Sequence, residues 1–149
     1  MAKIEHVTRL KAPVGDVFAY IADFRTIKDY NPSILQVKRL SDGCPAKGDR
    51  YELTLSTFGA KLRPVLTITE IRENELIATR LDAFIPANEK RIFKQEGNET
   101  DFFFTIEFSS GWPLIGPLID IILVRLIARR QADMEVRLLE KHFNLEDDR

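Results

Sequence analysis

Two rhythms of hydrophobic and polar residues divide this chain. Through its middle the period is two. Tyr51, Leu53 and Leu55 alternate with Glu52, Thr54 and Ser56, and Phe102, Phe104, Ile106 and Phe108 fall on one side of a later run. Alternation of this kind marks a strand with one face buried and one wet. It predicts strands over 4–11, 34–40, 51–56, 61–72, 75–83, 89–95 and 101–108. The turn residues of 41–49, Gly59-Ala60, Glu73-Asn74, Pro86-Ala87-Asn88 and Gly97-Asn98 separate the later ones. Pro64 has no N–H to give and so predicts an edge position or a bulge within the fourth strand. Links this short join antiparallel neighbours, which makes the middle of the chain a meander.

Elsewhere the period is 3.6. After Ala12-Pro13, the residues Val14, Val17, Phe18 and Ile21 recur at helical spacing, and 24–30 forms a second short helix stopped by Asn31-Pro32. From Pro113 or Pro117 to about Phe143 the chain reads as one long helix. At ~100° per residue, one of its faces gathers Leu114, Leu118, Ile121, Ala128, Ala132, Val136, Leu139 and Phe143, with Arg125 in their midst. The order is strand, two short helices, six strands, long helix. It predicts an α+β fold in which a curved antiparallel sheet of about seven strands has its apolar face covered by the C-terminal helix. One domain over residues 1–149 is expected from the length.

The long helix opens on a nearly continuous apolar run, GWPLIGPLIDIILVRLIARRQ. A membrane span needs ~20 such residues. Here Trp112 to Ala128 is shorter and includes Asp120 and Arg125, each costing roughly 2.5–3.5 kcal/mol near the bilayer centre. The run does not span. Its outer face carries Ile115, Ile119, Leu123, Leu126 and Ile127, more apolar surface than a monomer usually exposes. A homodimer or a peripheral membrane contact is therefore expected to cover it, with the dimer favoured because Asp120 would meet anionic lipid badly.

A net charge of −1 provides no general field for nucleic acid, and Arg125, Arg129 and Arg130 lack the interleaved aromatics of a strand-binding groove. No nucleic-acid partner is expected. The single cysteine, Cys44, forms no intrachain disulfide. The opening MAKIEHVTRLKAP has charges where a signal peptide is apolar, so a cytoplasmic protein is expected.

The run IEHVTRLKAPVGDVFAYIADFRTIKDYNP resembles the opening of polyketide cyclase/dehydrase-like members of the START-related SRPBCC superfamily. Further similarities are the glycine loop Ala46-Lys47-Gly48, the Thr69-Glu70-Ile71 triplet and the helix start around Gly116. Tyr30 stands where many relatives have tryptophan. The resemblance implies a helix-grip fold: a strongly curved sheet wrapped around the long helix, with a hydrophobic cavity between them. It also implies either a carrier of lipids, quinones or aromatic polyketide-like molecules, or a cyclase or dehydratase. The fold hosts many functions, so a site must decide between these.

Candidate chemistry is sparse. His6, His142 and Cys44 are not grouped at ligand spacing, so neither a metal nor another cofactor is called for. His142 suits the last turn of the helix as a dipole-capping cation. His6 shares a strand face with Ile4, Thr8 and Leu10 and is a weak candidate for a general base, lacking a carboxylate partner identifiable by spacing. The expected ligand-binding set is Tyr51, Leu53, Leu55, Phe102, Phe104, Leu118, Ile121, Ile122 and Arg125, an apolar lining with one polar anchor. Arg125 on the gripping stripe must be paired with a strand carboxylate, hold a ligand oxygen, or reach water at the rim. Binding or transport of a hydrophobic small molecule asks for no unobserved chemistry and is preferred. The alternative is a polyketide cyclase or dehydratase acting in the same cavity.

Overall fold

Proline and β-branched residues set the first elements. Alternation turns Ile4, His6, Thr8 and Leu10 inward along β1 (Ala2–Leu10), and helix α1 (Val14–Ala22) then starts directly after Pro13. The computed structural model describes residues 2–42, 45–57, 59–83, 86–108 and 117–146; within them, the side chains of 2, 57, 117–125, 127, 128, 145 and 146 are not described. Asp23 closes α1. Its carboxylate accepts from the backbone N–H of Arg25, opening a tight 3-10 turn (Phe24–Thr26) that leads into α2 (Ile27–Tyr30). The predicted helix over 24–30 is thus two shorter turns, buried through Phe24, Ile27 and Tyr30.

The remaining strands are β2 (Ile34–Arg39), β3 (Arg50–Thr57), β4 (Ala60–Leu62), β5 (Val65–Arg72), β6 (Leu76–Asp82), β7 (Ala87–Glu96) and β8 (Glu99–Phe108). They make one antiparallel sheet in the order β1-β8-β7-β6-β5-β3-β2, with β4 paired to β3. The described sheet has eight strands where the pattern predicts about seven. Pro64 splits the predicted strand 61–72 into β4 and β5, and its carbonyl accepts from Leu53 N–H at 2.9 Å. A second irregularity, between Ile68 and Glu70 of β5, falls in the Thr69-Glu70-Ile71 triplet. The glycine loop is tied down on both sides. Gly48 N–H donates to Ile68 O at 2.8 Å, and Asp49 accepts from Ala46 N–H and from Arg39. Gly48 has φ 93, a conformation that a Cβ would strain.

β1 and β2 are neighbours in sequence but form opposite edges of the sheet, so α1 and α2 cross from one edge to the other. Helix α3 (Pro117–Glu146) returns over the same face. Of its predicted gripping stripe, Ala132, Val136, Leu139 and Phe143 are buried. Among the described residues no helix is long and apolar enough to cross a membrane. Leu126 is 58% exposed; the other four side chains of the predicted outer patch lie outside the described set.

The core under α1 is aromatic. Phe93 lies 5.3 Å from Phe18 and 5.5 Å from Phe102, and Phe102 stacks on Phe104. Phe102→Ala should therefore cost about 3–5 kcal/mol through lost transfer and an unfilled cavity. A urea-denaturation midpoint close to that of the wild type would contradict this packing.

Candidate functional site

Helix α3 packs on the sheet at β1 and on α2. The space beneath its far side is a cavity of about 60 Å³. Leu53 and Leu55 of β3, Leu66 of β5, Leu81 of β6 and Ile106 of β8 form its apolar wall. Ile27, Asn31 and Ile34 border it from α2 to the start of β2, and Gln131, Ala132 and Glu135 close it from α3. Its polar end is Glu89 and Arg91 of β7.

Arg91 is 2% exposed, deeper than almost any other polar side chain described. Strand register explains why. Phe93 faces the core, and counting back in twos places Arg91 and Glu89 on the same face. The guanidinium lies 4.7 Å from the centre of the Phe104 ring, its cross-strand partner on β8, a favourable place for a cation. Arg91 Nη1 lies 3.1 Å from Glu89 Oε2, and Nη2 lies 3.9 Å from Glu135 Oε2. Despite the short distance to Glu89, Nη1 makes no aligned hydrogen bond to any described group. The pair is held by charge, and Arg91 borders the cavity.

Glu135 is 7% exposed and accepts a 2.6 Å hydrogen bond from Asn31 Nδ2. Burial raises its pKa from an ordinary 4.5 to about 7, with Glu89 adding to the rise while Arg91 and Asn31 oppose it. Burial opposes the charge on Arg91, but Glu89, Tyr30 and Glu135 together hold its pKa above the ordinary value. Behind them, the buried Tyr30 hydroxyl has no hydrogen-bond partner among the described residues, and desolvation pushes its pKa up.

The predicted ligand-binding residues fall in three groups. Leu53 and Leu55 stand on the cavity wall. Tyr51, Phe102 and Phe104 are buried behind it: Tyr51 packs 4.9 Å from Phe24, Phe102 joins the aromatic core, and Phe104 supports Arg91. The side chains of Leu118, Ile121, Ile122 and Arg125 lie outside the described set. Arg125, the polar anchor expected on the helix, is among those outside the described set; a buried arginine that the sequence reading did not name, Arg91, stands on the sheet with the carboxylate of Glu135 on the helix. Two signals could have found it. Arg91 shares the parity of Phe93, and Glu135 falls between Ala132 and Leu139 on the gripping stripe.

His6 has a partner that spacing could not reveal, for its Nε2 lies 3.0 Å from Asp133 Oδ1 on α3. Neither residue lines the cavity. His142 stacks on Tyr20 with ring centres 4.2 Å apart and borders a more open hollow of about 400 Å³ with Lys11, Pro13 and Asp16. That hollow is the larger but the more open to solvent of the two. The enclosed space under α3 has both an apolar wall and a concentrated polar end, the combination that a ligand site requires.

Ionising Glu135 in its apolar surroundings should destabilise the fold. The group's pKa is higher in the folded state, so stability is complete below the unfolded value of 4.5 and falls as pH rises towards about 7. The loss by pH 8 is on the order of 3 kcal/mol. Thermal unfolding of Glu135→Gln should lack this loss, gaining on the wild type between pH 5 and 8. Parallel pH profiles for the two proteins would show that Glu135 does not titrate in this range.

The polyketide cyclase / dehydrase and lipid transport family model matches residues 1–143. No curated protein sequence matches significantly. Among solved structures, the chain is similar to the aromatase/cyclase Zhui of Streptomyces sp. R1128, with 14% identity and a TM-score of 0.81 over 96% of this chain and 93% of that one. A START superfamily protein of Mycobacterium smegmatis has 17% identity and a TM-score of 0.77 over 96% and 97%. A Thermus thermophilus protein has 16% identity and a TM-score of 0.79 over 97% and 99%. At these identities the likeness establishes a shared helix-grip fold.

Proposed function

Because this chain belongs to the polyketide cyclase / dehydrase and lipid transport family, we propose that it binds and carries a hydrophobic small molecule between the sheet and α3. The ligand classes that suit the site are lipids, quinones and aromatic polyketide-like molecules. One observation supports this above others: five aliphatic side chains from β3, β5, β6 and β8 converge with a buried arginine on one enclosed space. The cytoplasm is the setting this reading takes.

The enclosed volume of about 60 Å³ holds a few waters, whereas ligand pockets run to roughly 300–1,000 Å³. Loading therefore requires α3 to move away from the sheet.

Leu55 is half-buried on the wall, so Leu55→Trp should fill the cavity at little cost to the fold. An uncharged hydrophobic fluorophore such as N-phenyl-1-naphthylamine should bind the wild type and bind the variant at least about tenfold more weakly. Equal binding to both folded proteins would place the dye elsewhere and remove the cavity from the proposal.

A second reading, cyclase or dehydratase, draws on Glu135. A carboxyl with a pKa of about 7 beside Arg91 has the properties of a general acid/base. The carrier reading asks less of the site, since the same groups need only hold a ligand. Turnover of a poly-β-ketone thioester surrogate by the wild type, lost in Glu135→Gln, would decide for the enzyme.

A further inference from the structure

Among the described residues, the polar end of the cavity contains one cation and two carboxylates. Among the described residues, the charged and titratable groups around Glu135 are Arg91 and Glu89 from β7 and Tyr30 from α2, with Asn31 as a neutral donor. With both carboxylates ionised, the three charged side chains carry a net negative charge; with a proton on Glu135 they are neutral. A ligand carboxylate brought here would be a second anion facing the Arg91 guanidinium while Glu135 is protonated, and a third once Glu135 ionises, in a buried and weakly screened space. An uncharged carbonyl oxygen would meet a different environment. Arg91 lines the cavity, and its Nη1 is buried with no hydrogen bond to any described group. Its nearest acceptor, Glu89 Oε2, lies 3.1 Å away without hydrogen-bond alignment, so a well-aligned acceptor would be gained by it. A carbonyl satisfies it without adding charge.

We propose that this cavity selects ligands whose polar head is an uncharged carbonyl, received by Arg91 Nη1, and rejects otherwise similar ligands that end in a carboxylate. The inference rests on the ligand-binding reading above and narrows it to ketone- or quinone-like chemistry, excluding free fatty acids. It also gives binding a pH dependence. Ionised Glu135 places further negative charge near the carbonyl oxygen, so affinity for the neutral ligand falls as pH rises from 6 to 8.

Three probes of one ring system test it by isothermal titration: 2-ethylnaphthalene, 2-acetylnaphthalene and 2-naphthoate. The acetyl compound should bind about tenfold more tightly than the ethyl compound, the usual scale for a hydrogen bond to a charged group. The naphthoate should bind most weakly. Glu135→Gln keeps Arg91 and removes the titrating group, so it should retain the acetyl preference and lose the change between pH 6 and 8. Arg91→Leu should abolish the acetyl preference if it folds; the Glu135→Gln result stands without it. If no probe binds, the ligand-binding reading falls and this inference falls with it. If the probes bind but the naphthoate equals or exceeds the acetyl compound, or ethyl and acetyl bind alike, only the inference is overturned. A pH dependence unchanged in Glu135→Gln would overturn the role given to that residue.

Discussion

A guanidinium enclosed by protein has to be neutralised by protein, and in this molecule several elements converge on it. Arg91 is surrounded by Glu89 from its own strand, the Phe104 ring from β8 and Glu135 from α3. Asn31, just beyond α2, holds Glu135 in turn. The sheet, the long helix and the crossing connection all meet at this one charge. Removing a partner from such a cluster is far more damaging than the net value of the cluster suggests, because it strands a buried charge. The cluster is thus a condition on how the elements dock.

That condition is also a condition on register. Arg91 lies opposite Ile77 on β6 and Phe104 on β8. A slip of one residue would turn Arg91 to the outer face and bring Lys90 or Ile92 inward. A rotation of α3 by one residue, ~100°, would carry Glu135 away from the guanidinium. The aromatic packing of Phe18, Phe93 and Phe102 and the charged cluster therefore specify the same alignment by different physics. One rewards apolar contact, and the other penalises every misaligned alternative.

The same arrangement gives the cavity its two ends. Aliphatic residues from β3, β5, β6 and β8 form a wall that gains nothing from water, while the cluster beneath α3 retains a donor without an aligned acceptor and a carboxyl whose pKa burial raises to about 7. Helix-grip folds share such a space, but the chemistry of its polar end belongs to the individual sequence. Here that chemistry is a cation outnumbered by carboxylates.

The sequence alone determined the α+β class, the meander, the presence of short helices after β1 and the inward face of α3 at Ala132, Val136, Leu139 and Phe143. Those features follow from local periodicity and from proline, which act over a few residues. It also contained half of the site, since parity with Phe93 is enough to turn Glu89 and Arg91 inward. The split at Pro64 was legible as an interruption but not as two strands, because only the neighbour β3 shows that both pieces pair. The partnership of Arg91 with Glu135, forty-four positions apart, belongs to the tertiary structure, as does that of His6 with Asp133. A side chain's periodicity says which way it points, but what it meets depends on the docking of α3 across the sheet. Burial, and with it the raised pKa of Glu135 and the unaligned donor on Arg91, exists only once that docking has excluded water.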